Sequence, residues 1–312
     1  MKENRKNVLT FGICGVELDL VAPHLPRQGE TADCEAAPSL HLAGRAGNTA
    51  LALSAFGAGA VLCSAVGADA FGEKLLAHYE KKGVDTRFLE RSQAFGTALT
   101  TRFHTGACEE SSLLYKGACS AIEEAQLKAA LESKPDLLLA NLDLPFERVY
   151  YAVYTARELG IPVVLDATAA PEELHLSTLP EIDVLIADED AVHRLTGVLP
   201  SGVDNCMRAV LALSRTVKAR HYVLHMEDRG CYLYDGRLPH FVPGYRLPQK
   251  DTRGAMEAFC AAVCAAWMSG DAQMNVACHF ASAAYALTAS KAGIENTFPS
   301  ISEISYIMTG KA

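Results

Sequence analysis

The sequence predicts an α/β fold: a layered sandwich around a central, mostly parallel sheet, with a small β lid inserted in its first half. Three observations predict it. Short, continuous apolar runs recur along the chain, as strands buried on both faces of a parallel sheet do. Amphipathic helical patterns separate them. Two segments break the alternation: residues 17–42 are rich in Pro and polar residues, and 96–116, "GTALTTRFHTGACEESSLLYK", alternate like exposed strands.

The elements follow in chain order. "NVLTFGICGV" predicts a first strand, "AGNTALALSAFGA" a helix closed by Gly57, and "AVLCSAVG" a second strand. Further on, "PDLLLANL", the helix through "FERVYYAVYTARELG", then "IPVVLDAT", "EIDVLIAD" and "KARHYVLHM" continue the alternation. No internal repeat, low-complexity tract or linker divides the chain, so residues 1–312 read as one domain with a discontinuous lid from parts of 17–42 and 96–116.

Composition bounds the function. Of 312 residues, 50% are hydrophobic and 21% charged, the profile of a folded globular chain. A net charge of −9 argues against nucleic acid, whose backbone needs basic surface. No run of eighteen apolar residues predicts a membrane span, and "MKENRKNVLTFGICG" lacks the apolar stretch and cleavage site of a signal peptide, so a cytoplasmic location is expected. The ten cysteines show no CxxC pair and read as reduced, buried thiols, and Cys278-His279 has no second pair at metal-ligand spacing.

In a parallel sheet, ligands sit at the carboxyl ends of strands, beside helix N-termini. "DTRGAMEAF", residues 251–259, falls there. Unpaired amides at a helix start hold an anion, and a carboxylate in that first turn can take a proton from a substrate hydroxyl. The alternative reading is that Glu257 only complements its own helix dipole.

Several stretches taken together resemble the ribokinase-like (PfkB) sugar kinases. They are "LPRQGET" at 25–31, "AGRAGNTALALSAFGA" at 43–58, "VGADAFGEKL" at 66–75, "VVLDAT" at 163–168, "HRLTG" at 193–197 and "DTRGAMEAF", in the family's order and spacing. The resemblance implies a three-layer sandwich with a β lid over a sugar, and ATP with Mg²⁺ phosphorylating a sugar or nucleoside hydroxyl. The family's closing motif usually reads DTTGAGD. Here Gly254 and Ala255 are kept, Met256 replaces the second Gly, and Glu257 replaces the Asp base. The longer side chain shifts the carboxylate by roughly an ångström, a displacement that costs on the order of 100-fold. If the family Gly has φ > 0, Met256 is strained by roughly 1–2 kcal/mol as well as crowding the phosphate.

On the nucleotide side, the resemblance places Asp188 and Ala191 where the family has Asn-x-x-Glu, with Glu189 or Asp190 as substitutes after a one-residue shift. Leu224 and Met226 replace a Thr and a Gly ahead of the retained Gly230, and Arg253, standing for the second Thr of the motif, is grouped with them. On the sugar side, Glu17 matches the family Asp that binds hydroxyls, or Asp19 does if the loop is two residues shorter. Asn48 matches the Asn of "GGxxxN", with Ala43-Gly44 for the paired glycines and Arg45 nearby. A carboxylate and an amide together read vicinal hydroxyls. Helix N-cap for Asn48 and solvated strand end for Glu17 are the competing readings. Arg102 on the lid can meet an anionic substrate group or remain a solvated charge, and Asp69 is read as a turn former. Two functions stay open: an ATP-dependent carbohydrate or nucleoside kinase, and a non-catalytic relative that binds a sugar-like ligand or a partner. A homodimer joined through lid edges is expected.

Overall fold

A computed structural model describes residues 5–105, 110–171, 174, 176–270, 273–293 and 297–310. The strands are β1 (Asn7–Phe11), β2 (Gly15–Ala22), β3 (Ser39–Ala43), β4 (Gly59–Gly67), β5 (Asp85–Ser92), β6 (Ala98–Thr105), β7 (Glu110–Tyr115), β8 (Leu137–Asn141), β9 (Val163–Asp166), β10 (Ile182–Asp188), β11 (Ala219–His225), β12 (Gly230–Tyr234) and β13 (Pro239–Pro243). The helices are α1 (Arg45–Ala55), α2 (Ala70–Lys81), α3 (Glu124–Glu132), α4 (Phe146–Glu158), α5 (Glu189–Thr196), α6 (Gly202–Thr216), α7 (Ala255–Met268), α8 (Met274–Ala289) and α9 (Ile301–Thr309).

Nine strands form one sheet in the order β13-β12-β11-β10-β9-β8-β1-β4-β5, parallel from β5 to β11 and antiparallel at β12 and β13. Its unbroken apolar runs follow from burial on both faces. In β8, Leu137 and Leu139 pack into the core shared with α1, α7 and α8, whereas Leu138 and Ala140 pack into the core shared with α3 to α6. The result is three layers. No helix among the described residues is long and apolar enough to cross a membrane.

A second sheet runs β3-β2-β6-β7, with β2 and β6 parallel and the outer pairs antiparallel. Residues 106–109, inside the expected lid segment 96–116, lie outside the described residues. The single strand expected over "NVLTFGICGV" divides. The chain leaves the large sheet after Phe11, and at Gly12 it passes close to Asn141, where a Cβ would stand 2.7 Å from Asn141 Oδ1. Ile13 N–H then turns to Asp143 Oδ2 at 3.3 Å, and pairing resumes at Gly15 in the second sheet. That crossing brings β2 over the carboxyl ends of the large sheet's strands.

Candidate active site

A cavity of about 370 Å³ lies between the two sheets, where α1 and α7 begin. Glu17, Thr100, Arg102 and Leu114 line it from the second sheet. Asp143, Gly44, Arg45, Asn48, Thr252, Arg253, Gly254, Met256 and Glu257 line it from the main body.

Helix α7 starts here because Gly254, its N-cap, takes the left-handed conformation at φ 77°, which costs glycine nothing and side-chain residues more. Ala255 heads the helix and donates its N–H to Thr252 O at 3.1 Å. Met256 is an ordinary helical residue, with no positive φ, so the backbone strain considered for this position is absent and only crowding remains. Glu257 sits in the first turn, its side chain 13% exposed and facing the cavity. Burial raises its pKa, opposed chiefly by the Arg45 guanidinium, whose Nη1 lies 3.8 Å from Glu257 Oε1.

Arg45, the first residue of α1, is held by its surroundings. Nη1 donates to Thr168 Oγ1 at 2.6 Å and lies 3.7 Å from Asp166 Oδ2. Thr168 in turn donates its hydroxyl to Asp166 Oδ1 at 2.6 Å, and Asn141 Nδ2 donates to Asp166 Oδ2 at 2.8 Å. Burial works against the Arg45 charge, but Asp166, Glu257 and Asp143 outweigh it and keep the group protonated. Asp143, just beyond β8, is pushed up to about 6 by burial, with Arg45 and the Ile13 N–H opposing.

Asn48 is not a helix cap: Gly44 is the N-cap of α1, and Asn48 lies a turn inside it, 5% exposed, with Oδ1 buried and unpartnered. Nor is Glu17 a solvated strand end, being 5% exposed on β2. Its Oε2 accepts from Arg102 Nη2 at 2.8 Å, and Oε1 is buried without a hydrogen bond. Arg102 also pairs with Glu110, so it is an engaged charge rather than a solvated one. Asp19, two residues on, does not line the cavity; its Oδ2 takes Arg253 Nη1 at 2.5 Å. Asp69 caps α2, accepting from Gly72 N–H at 2.9 Å, as a turn former does.

Arg253 lies elsewhere than expected. Its side chain points to the β2 carboxylates and lines the larger cavity, away from the residues with which it was grouped. Asp251 holds Nε at 3.0 Å and Nη2 at 2.7 Å, leaving Nη1 to reach Asp19 and, at 3.5 Å, Glu17 Oε1.

A second cavity of about 230 Å³ adjoins the first across Thr252 and Met256, which line both. Asp188, Glu189, Asp190, His225, Glu227 and Tyr285 complete it, with no Lys or Arg in its lining. Asp188 caps α5 through the Ala191 N–H at 2.7 Å, and burial raises its pKa. Glu189 pairs with Arg229. His225 is wedged between Phe259 and Tyr285, ring centroids 4.6 and 4.4 Å away, and burial pushes its pKa down to about 3. Its Nδ1 accepts from Glu227 N–H at 3.3 Å, so the neutral ring carries its proton on Nε2, buried and unpartnered.

Three expected nucleotide-side residues are not in this cavity. Leu224 is fully buried against the α6 layer, because alternation along β11 turns it away while presenting His225. Met226 lines a separate, mainly apolar hollow with Cys206, Tyr232 and Phe241. Gly230 is where β13 crosses: a Cβ there would stand 2.1 Å from Val242 O. Conversely, Asp143, Arg45 and His225 were not singled out as site residues from sequence. A carboxylate just past the apolar run "LLLANL" was the available signal for Asp143.

A sequence profile described as pfkB family carbohydrate kinase matches residues 5–301. The chain is 24% identical over 306 residues to a deoxyribokinase of Salmonella typhi, covering 97% of this chain and 99% of that one. It is 23% identical over 301 residues to a ribokinase of Haemophilus influenzae, covering 96% and 97%. The fold superposes on the structure of Arabidopsis thaliana ribokinase complexed with ribose and ATP with a TM-score of 0.84 at 20% identity, covering 98% of this chain and 99% of that one.

Proposed function

The chain belongs to the pfkB family of carbohydrate kinases, and from that premise we propose that it phosphorylates a hydroxyl of a sugar or nucleoside, with Glu257 as the base. One observation carries the reading. Three buried acceptor atoms without hydrogen-bond partners, Glu17 Oε1, Asn48 Oδ1 and Asp143 Oδ1, belong to residues that line the same cavity as Glu257. Buried acceptors call for donors, and a polyhydroxyl ligand supplies several at once.

The chemistry follows from the residues. The reacting hydroxyl gives its proton to Glu257, whose burial raises its pKa toward the operating range of a general base. The Arg45 guanidinium, 3.8 Å away, favours the ionised carboxylate and opposes that rise. The amides of the α7 first turn face developing phosphate charge at the positive end of a fourteen-residue helix. The second sheet forms one wall of the cavity.

The family implies ATP and Mg²⁺. The adjoining cavity suits the pair better than it suits bare triphosphate. Among the described residues no three His, Cys, Asp or Glu are placed to hold a metal ion by themselves; Asp190 and Glu227 would meet a nucleotide-bound Mg²⁺ through its waters, and the orphaned His225 Nε2–H would donate to a phosphate oxygen. The nucleotide supplies the phosphoryl group, and the metal offsets its charge.

ATP consumption measured with a panel of pentoses and nucleosides tests the reading. Glu257→Gln should lower turnover by about 10³-fold and leave sugar binding intact. Turnover unchanged in this variant would remove Glu257 as base; wild type that binds a sugar yet consumes no ATP would make the chain the non-catalytic relative.

A further inference from the structure

Two carboxylates compete for Arg45, and only one of them lines the cavity. Glu257 does; Asp166, at the end of β9, is 1% exposed and does not. Arg45 Nη1 stands 2.6 Å from Thr168 Oγ1, 3.7 Å from Asp166 Oδ2 and 3.8 Å from Glu257 Oε1. The first distance is a hydrogen bond, and the other two are too long for one. A threonine hydroxyl therefore holds the guanidinium short of the base. Thr168 can accept from the arginine because its own proton goes to Asp166 Oδ1 at 2.6 Å. Asp166 is fixed in turn: Oδ1 also accepts the Thr168 N–H at 2.9 Å, and Oδ2 accepts Asn141 Nδ2 at 2.8 Å. Were Arg45 to bond Glu257 directly, it would occupy the lone pairs that a substrate proton must reach and make the carboxylate a weaker base.

We propose that Asp166 is a positioning residue: through Thr168 it restrains Arg45, so that the guanidinium stands beside Glu257 without closing a hydrogen bond on it. The inference rests on the reading of Glu257 as base and adds to it a residue outside the cavity. Burial raises the Glu257 pKa, Arg45 opposes the rise, and Asp166 and Glu17 add to it. Asp143, Arg102 and Arg253 share the cavity, Cys260 follows on α7, and Asp188 stands near Arg45. Asp166→Asn removes a negative neighbour of Glu257 and releases Arg45 toward it, two changes that both favour the ionised carboxylate. The substitution keeps an oxygen for Thr168, and Asn141 can turn its amide, whose Oδ1 has no partner, to accept from the new nitrogen.

NMR titration of the Glu257 carboxyl tests this, in protein carrying carbon-13 in glutamate alone and assigned with Glu257→Gln, beside the pH dependence of kcat. Labelling only glutamate keeps Asp143, which titrates near 6, out of the spectrum. In Asp166→Asn the Glu257 pKa should fall by about 1, the acid limb of kcat should move with it, and kcat at pH 8 should drop about fivefold with the sugar KM unchanged. Thr168→Val should act in the same direction by less, and Thr168→Ser, which keeps the hydroxyl, should behave as wild type. A Glu257 pKa that stays put or rises in both Asp166→Asn and Thr168→Val overturns the restraint, as does a change confined to KM. The expected fall in a protein that consumes no ATP supports the restraint on Arg45 and removes Glu257 as base.

Discussion

The two cavities that meet at Thr252 and Met256 are built on opposite electrostatic plans. In and around the larger one, Arg45, Arg102 and Arg253 pair with Asp166, Glu257, Glu17, Asp19 and Asp251, so the cations there are supplied by the chain. In the smaller one, four carboxylates line the space with no Lys or Arg among them. The first has its cations built in but leaves Glu17 Oε1, Asn48 Oδ1 and Asp143 Oδ1 for a ligand to satisfy. In the second, Arg229 pairs with Glu189 and Asp188 caps α5, while Asp190 and Glu227 are exposed and open to a cation from solution. On the proposed reading, the first suits a neutral, donor-rich ligand and the second a metal-bound anion.

The largest expected effect breaks the comparison at its weaker half. Chelating Mg²⁺ should reduce ATP affinity by at least about 100-fold, as several unscreened like charges each cost on the order of 1 kcal/mol or more. Sugar affinity, measured by calorimetry in the same buffer, should not change. ATP binding that survives chelation would contradict the cation-dependent reading of the acidic cavity.

Met256 is the wall between the halves, and removing it sharpens how they communicate. Met256→Gly should raise kcat by about tenfold by clearing the path between phosphate and hydroxyl, with the sugar KM little altered. The cost in helix stability is about 1 kcal/mol or less. A fall in kcat would show that the side chain supports the reacting geometry.

The smallest effect concerns strain inside the matched cavity. Asp143 has its pKa pushed up to about 6 from an ordinary 3.8, so the folded protein holds this proton more tightly than the unfolded chain. Its contribution to stability is therefore fully present below about pH 4 and is lost as pH rises through 6. Asp143→Asn keeps an acceptor for the Ile13 N–H and removes the charge. It should flatten that part of the Tm-versus-pH curve and raise Tm at pH 8 by about 3 °C or more. An unchanged slope would mean that other groups dominate it.

Legibility differed between the cavities for physical reasons. Glu257 and Asn48 were locatable from sequence because the glycines Gly254 and Gly44 mark the starts of their helices and so fix where those side chains begin. Leu224 was misplaced because matching a motif by position ignores the twofold alternation of a strand, which presents His225 instead. Arg253 was misplaced because a long, flexible side chain can serve either neighbouring cavity, and its motif does not say which.

The sequence by itself determined the layered sheet, the helix starts at its carboxyl edge and the carboxylate in the first turn of α7. These follow from apolar periodicity, glycine placement and neighbouring residues, all local along the chain. Only the tertiary structure decided which charges meet. Arg253 finds Asp19 across 234 residues of sequence, and Arg45 reaches Thr168 across 123. An ion pair depends on distance in space and on how well burial excludes water, and neither is written in the spacing of residues along the chain.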